Sequence, residues 1–316
     1  MNLTNTPLIS FVVFFRDLPP DTVLKCIDSV LNLSLRKDER EIIVVDDGSA
    51  DFLFSRFAGR EDEIVIIRQP PCGIYGAMNT GMRLASGLYV QFVSASDELL
   101  LDGYGHCLDL MRYEKPEMVM FNVTTGKNPH VAYGDDVRET GTEFMRHNTV
   151  NPDPCGYAFM KRQAGNTVFD AENGMSHEEF TAILLLKSEK VISTNVIACR
   201  SGGRPAEFSC RTDKRSLVKR LDDQFDMICR LKEMSNVLPN DERLAVERRV
   251  AQLTVDYLVS VIKDARSARQ LKTRIGQLER KGLFPLPDKK YNRKYTIQAK
   301  LLNRKIVRMI AFKLLG

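Results

Sequence analysis

No apolar run in the sequence approaches the roughly 18–20 residues that a helix needs to span a bilayer, which excludes a transmembrane helix. There is no CxxC pair, so a structural zinc site has no support. The seven cysteines are odd in number and scattered from Cys26 to Cys229, a distribution that does not make a disulfide framework. Residues 1–7 lack the basic start and long apolar core of a signal peptide, and a cytoplasmic protein is the expectation. Internal repeats and low-complexity tracts are also missing.

What is present is an ordinary globular composition, 43% hydrophobic and 28% charged over 316 residues, enough for one large domain and an appendage. The net charge of +5 conceals an asymmetry. Through Cys210 there are 20 basic and 29 acidic residues, about −9, and from Arg211 onward there are 26 and 12, about +14. A basic C-terminal module facing an anionic partner, or a solvated helical surface, accounts for such a split. Nucleic acid is not the expected partner, because the tail has neither an aromatic stacking platform nor a recognisable binding signature.

Along the first half, strand and helix signals alternate. Residues 8–15, 42–45, 64–67, 88–93 and 118–123 read as strands. Between them, residues 21–33 carry Val23, Leu24, Ile27, Val30 and Leu31 at helical spacing, and residues 75–85 place Met78, Met82 and Ala85 on one face. The stretch 127–174 is irregular, with Asn128-Pro129, Asn151-Pro152 and Asp153-Pro154 marking turns. A helix over 180–186 and a strand over 191–199 then precede Ser201-Gly202-Gly203. This alternation predicts an α/β fold with a mostly parallel sheet covered on both faces. After Ser209 the pattern turns helical, with a helix over 216–234 and a long one from an Asn240 N-cap that the spacing carries to Gly282. Two regions are expected, 1–209 and 210–316.

Chemistry concentrates at the ends of the apolar runs. Asp46-Asp47 follow four β-branched residues and precede Gly48, at what would be the carboxyl end of a buried strand, where α/β sheets bind ligands. Carboxylates there can accept from a uracil ring nitrogen or a ribose hydroxyl, or can simply shape a turn. In the segment 73–81, Gly73 and Gly76 allow close backbone approach ahead of a helix start suited to a phosphate or sugar oxygen.

Four segments, taken in order, resemble family 2 glycosyltransferases of the GT-A fold. They are Phe14-Phe15-Arg16-Asp17, then Val45-Asp46-Asp47-Gly48-Ser49-Ala50-Asp51, then Gly73 through Gly81, then Phe92-Val93-Ser94-Ala95-Ser96-Asp97-Glu98. The likeness covers residues 8–110 closely and 154–200 more loosely. It implies a GT-A domain, Rossmann-like and nucleotide-sugar-binding, with a helical C-terminal extension. It further implies inverting transfer of a sugar from a nucleotide-diphosphate donor, a UDP-sugar by expectation, to a glycan or lipid-linked acceptor in polysaccharide assembly. In that frame Asp17, Asp46 and Asp47 face the nucleotide, Gly73 and Asn79 shape the donor pocket, and Arg200 with Arg204 close over the diphosphate.

The likeness also implies a base and a metal. Gly174-Met175-Ser176-His177-Glu178-Glu179-Phe180-Thr181 resembles, two residues shorter, the segment that carries the family's catalytic carboxylate, which leaves Glu178 or Glu179 as the base; both could instead be helix N-terminal carboxylates. A divalent cation, Mg or Mn, would be held at the fourth segment. Ser94 and Ser96 stand where acidic ligands are usual, so Asp97 is left as the metal and donor-binding carboxylate of that strand end. Weak metal dependence follows, or a non-catalytic nucleotide-sugar-binding subunit. Gly76 and the Phe14/Arg16 pair also depart from the family pattern.

The segment 300–316 winds as one helix with Leu302, Ile306, Met309, Ile310 and Leu314 on one arc and Arg304, Lys305 and Arg308 on the other. Such a helix can lie on an anionic membrane surface, dock on its own core or pack in a dimer. A lipid-linked acceptor, implied by the resemblance, favours the first and a peripheral place on the inner membrane face.

Overall fold

The computed structural model describes residues 6–50, 57, 59–60, 62–126, 136–170, 176–203, 214–264 and 268–315. Asp51, Gly174, Met175, Arg204 and the junction expected at 209–210 lie outside them, as do the side chains of residues 311–316.

The first strand, β1 (Ile9–Phe15), is buried along its whole length, as a run of seven residues with six large apolar side chains should be. Each such side chain contributes about 1.5–3 kcal/mol when taken from water. Then come α1 (Pro20–Leu31), which starts with proline in its first turn and buries Val23, Cys26, Ile27 and Val30, and β2 (Arg40–Asp46). They are followed by β3 (Val65–Arg68), α2 (Gly73–Leu84), β4 (Tyr89–Ser94), the short β5 (Glu98–Leu99), α3 (Leu101–Asp109) and β6 (Met118–Thr124). The remainder of the sheet region is β7 (Val137–Glu139), α4 (Gly141–His147), β8 (Tyr157–Met160), α5 (Lys161–Ala164), α6 (His177–Leu186) and β9 (Val191–Arg200).

The described strands form one sheet of order β3-β2-β1-β4-β8-β6-β9-β5, with β7 also beside β9. β1 runs parallel to β2 and β4, β2 parallel to β3, and β6 parallel to β9. The sheet is mixed rather than nearly all parallel, because β8 runs antiparallel between β4 and β6, and β5 and β7 are antiparallel to β9. The register places Phe15 beside Asp46, and Phe14 beside Ser94, so the ends of β1, β2 and β4 lie side by side.

Among the described residues five helices follow: α7 (Lys214–Ser235), α8 (Asn240–Asp264), α9 (Ala268–Arg280), α10 (Arg293–Asn303) and α11 (Lys305–Leu315). The chain divides into two compact units, Met1–Gly141 with Asn151–Ser209, and Thr142–Val150 with Cys210–Gly316. Within the second, buried Arg248 on α8 donates to the carbonyl oxygens of Met145, His147 and Tyr291, which ties 142–150 to the helices. The expected single tail helix is two. Arg304 takes an extended backbone between them, and Asn303 exchanges two 2.9 Å hydrogen bonds with the backbone of Leu286, pinning the end of α10. No helix among the described residues is long and apolar enough to cross a membrane.

Candidate active site

In the order β3-β2-β1-β4, the chain builds outward from β1 to β2 and β3, then returns to add β4 on the other side of β1. A crevice at such a switch point, outside the carboxyl ends of the strands, is where open α/β sheets take ligands. A cavity of about 480 Å³ lies there, lined by Phe14 from β1, Ser94 and Asp97 from the end of β4, and Gly73, Tyr75 and Met78 from α2. Its other walls are Asp153, Pro154 and Cys155 ahead of β8, His177 at the start of α6, and Ser201 and Gly203 after β9. That volume suits a small organic ligand.

The two aspartates after β2 are buried and committed to the loops around them. Asp46 Oδ1 accepts from the backbone N and the Oγ of Ser49 at 2.9 and 2.5 Å, and its Oδ2 stands 3.7 Å from Arg68 Nε. Asp47 Oδ1 accepts from Gln69 Nε2 at 2.8 Å and the Cys72 N–H at 2.9 Å, and Oδ2 from the Gly73 N–H at 2.9 Å. Asp47 therefore holds the start of α2, the rim of the cavity, against the end of β2. Asp17, at φ +48, accepts from Ala50 N at 2.7 Å, while its own N–H donates to Ser49 Oγ; it bridges the β1 and β2 loops from an exposed position.

Asn79 acts one layer behind the cavity wall. Its amide exchanges hydrogen bonds of 2.7 and 2.9 Å with the backbone of Phe169, whose ring stacks on Tyr75 at 5.4 Å. His177 meets both rings edge-on, at 5.0 and 5.6 Å. The aromatic wall is thus positioned by Asn79. At Gly76 a Cβ would lie 2.2 Å from Cys72 Sγ, so a side chain there would require the exposed Cys72 thiol to turn aside.

At the end of β4, Ser94 Oγ and Ser96 Oγ bond to each other at 2.9 Å, and Ser96 Oγ donates to the Gly203 carbonyl at 2.9 Å. Gly202 packs so closely beneath that a Cβ would sit 2.0 Å from the Ser96 carbonyl oxygen. Asp97 Oδ1 accepts from the Gly202 N–H at 3.1 Å. Burial raises the Asp97 carboxyl from its ordinary 3.8 to about 6, against the hydrogen bonds from Gly202 and Ser201, and Asp153 pushes it in the same direction. Between about pH 4 and 6 the folded chain holds a proton there that the unfolded chain releases, so stability falls as pH rises through that window. The loss is on the order of 2–3 kcal/mol at full ionisation. Asp97→Asn should remove it, and denaturant titrations of wild type and variant from acid to neutral pH measure the difference. Parallel pH profiles would mean that Asp97 ionises freely in the fold.

The sequence profile of Glycosyl transferase family 2 matches residues 10–169, which is β1 to the segment carrying Phe169. The chain belongs to this family. It is 36% identical over 94 residues to the uncharacterized glycosyltransferase EpsJ of Bacillus subtilis, a match covering 29% of this chain and 26% of that protein. Among solved structures, S. aureus TarS in complex with UDP-GlcNAc superposes with a TM-score of 0.65 at 12% identity, covering 93% of this chain and 90% of that one. A mannosyltransferase, PcManGT from Pyrobaculum calidifontis, in complex with GDP-Man and Mn2+, superposes at 0.54 and 15% identity over 98% and 86%. The fold is GT-A, with a helical C-terminal region.

For a glycosyltransferase of this family, the residues at the β4 end fit a divalent cation poorly. Two hydroxyls bonded to each other and one carboxyl with a raised pKa are a weak oxygen set for a hard dication. Among the described residues no group of three His, Cys, Asp or Glu side chains converges as a metal site would require. Arg200, expected at the donor, ends β9. It pairs with Glu98, its cross-strand neighbour on β5, and donates to the Gly126 carbonyl, and it does not line the cavity. Glu179 is buried in a capping box, its Oε2 accepting from the N–H and Oγ of Ser176. Glu178, half-buried, adjoins the cavity-lining His177 and its charge reaches Tyr157. Asp153 escaped notice in the sequence, where Asp-Pro reads only as a turn. In the structure it caps the turn Pro154–Gly156 and brings a second carboxylate to the cavity.

Proposed function

We propose that the protein transfers a sugar from a nucleoside-diphosphate donor, a UDP-sugar by preference, to a hydroxyl of a glycan or lipid-linked acceptor, with inversion. The observation that carries this reading is the 480 Å³ cavity at the β1–β4 switch point of a family 2 chain, walled by carboxylates and an aromatic cluster. UDP-GlcNAc in TarS supports the choice of donor. The nucleotide lies along the ends of β1 and β2, where Asp17, Asp46 and Asp47 shape the crevice and Gly73 forms its rim, and the sugar enters the cavity beside Asp97. Glu178 takes the proton of the acceptor hydroxyl as its oxygen bonds to the anomeric carbon and the bond from that carbon to the diphosphate breaks, releasing the nucleoside diphosphate, with Glu179 fixing the helix end that carries Glu178. Arg16, just after β1 and beside Asp17, and Arg68, at the end of β3 and beside Asp46, are the cations proposed to offset the diphosphate charge. A lipid-carried acceptor would keep the protein peripheral, at the inner face of a membrane.

A second reading has its own support. The mutual Ser94–Ser96 hydrogen bond and the capped Glu179 also suit a nucleotide-sugar-binding subunit without catalysis. A panel of nucleotide sugars tested for thermal stabilisation, followed by transfer assays with and without chelator, separates the two. Transfer by the wild type should persist in chelator, and Ser96→Asp should introduce metal dependence. Complete loss of wild-type turnover in chelator would refute the metal-independent reading. Donor binding with no turnover under any metal would establish the second.

A further inference from the structure

We propose that α10 and α11 form a docking surface for an anionic lipid bilayer. A surface helix ordinarily buries its apolar stripe and exposes its charge. On α11, three apolar residues and one arginine do the reverse. Ile306, Met309 and Ile310 are 75%, 36% and 52% exposed, while Arg308 is 9% exposed. The Arg308 guanidinium donates to the Leu302 carbonyl and lies 4.9 Å over the Phe284 ring, so it is held inward by specific partners. On α10, Tyr295, Ala299 and Leu302 face the core of the helical unit, and Ile297 and Leu301 remain exposed. Five large apolar side chains within 14 residues of sequence are therefore left to the surroundings, beside a hollow of about 140 Å³ between α8, α10 and α11.

The charge around them selects the occupant. From Lys289 to the C-terminus there are nine Lys and Arg residues and no Asp or Glu. Arg293, Lys294, Lys300, Arg304 and Lys305 are exposed among the apolar residues. A second copy of this surface would bring like charges together. A nucleic acid would satisfy the cations and leave the isoleucines uncovered. A bilayer with anionic headgroups satisfies both, because the apolar side chains enter the acyl boundary while lysine and arginine reach the headgroups. This surface stands independently of the sugar-transfer reading.

The test is flotation of the full chain with phosphatidylcholine vesicles, with and without phosphatidylglycerol. Partitioning to the anionic vesicles should exceed that to the neutral ones by about tenfold or more, and rising salt should weaken it. The double variant Ile306→Asp/Ile310→Asp should lose that partitioning by a similar factor, and so should Lys300→Glu/Lys305→Glu. All four positions are exposed, so unfolding temperature and nucleotide-sugar binding should stay at wild-type values. Equal partitioning of wild type and the Ile306→Asp/Ile310→Asp variant would overturn the proposal. So would retention on DNA without retention on vesicles, or a wild-type dimer that this variant dissociates while neither binds lipid.

Discussion

Replacing Glu178 by glutamine is expected to lower sugar transfer by about 100-fold or more while nucleotide-sugar binding persists. Glutamine keeps the size of the side chain and its hydrogen-bonding reach, and removes the capacity to accept a proton. The neighbouring carboxylate supplies a control that the sequence alone could not design. Glu179 closes a capping box with Ser176, and glutamine serves that box as well as glutamate does. Glu179→Gln should therefore be close to wild type in both stability and turnover, whereas Glu179→Ala should cost about 1 kcal/mol of stability. Single-turnover rates and donor affinity for the three variants measure this. A large loss of turnover in Glu179→Gln with Glu178→Gln unaffected would exchange the two roles. Near wild-type transfer by both glutamine variants would place the base elsewhere, and Asp153 in the cavity wall would be the next carboxylate to replace.

The part of the site legible in the sequence is the part built from strand ends. Four β-branched residues running into Asp46-Asp47 leave little choice but a buried strand opening into a polar loop, and the structure places β2 there, ending at Asp46. The parallel half of the sheet follows for the same reason. β8 was not legible because it has only four residues between a proline turn and a short helix, too few to show a period. α3 was masked by Gly103 and Gly105, which lower helix propensity in a segment whose helix is decided by packing on β9.

Side-chain commitments were the least legible of all. Glu41, Asp47, Asn79 and Arg200 are equally polar in the sequence, yet each is engaged by a partner 22 to 102 residues away. The departure at Ser94 and Ser96 was visible. What replaced the lost carboxylates was not, because it is supplied by Gly202 and Gly203 more than 100 residues on, through a backbone approach that has no signature. Which arc of α11 faces the protein was not legible, for a related reason. Periodicity separates an apolar arc from a basic one but does not say which arc faces the protein, and the Phe284 ring and the Leu302 carbonyl decide it for Arg308.

Asp47→Ala is expected to weaken nucleotide-sugar binding by about tenfold or more and to destabilise the fold at the same time, by roughly 3 kcal/mol or more. The sequence alone would assign Asp47 a direct contact with the donor and predict a folded variant of normal stability. The structure changes that expectation, since this carboxylate is buried and receives four hydrogen bonds, from Gln69 Nε2, the N–H groups of Cys72 and Gly73, and the Cys72 thiol. Truncation removes the acceptor of all four, and the two backbone N–H groups each cost about 1–3 kcal/mol if water does not reach them. A sum of that size is a large fraction of the ~5–15 kcal/mol that holds a domain together. The segment 69–73 would then swing from the end of β2, and Gly73, on the rim of the cavity, would move with it. Asp46→Ala offers the contrast, because among the described residues its carboxylate holds only Ser49 and an arginine 3.7 Å away, and its effect on stability should be smaller. Thermal unfolding and calorimetric titration with a nucleotide sugar measure both quantities on each variant. Wild-type stability with lost affinity in Asp47→Ala would return Asp47 to direct donor contact. Wild-type values for both quantities would mean that the 69–73 loop does not depend on its carboxylate and that the cavity rim is held by other contacts.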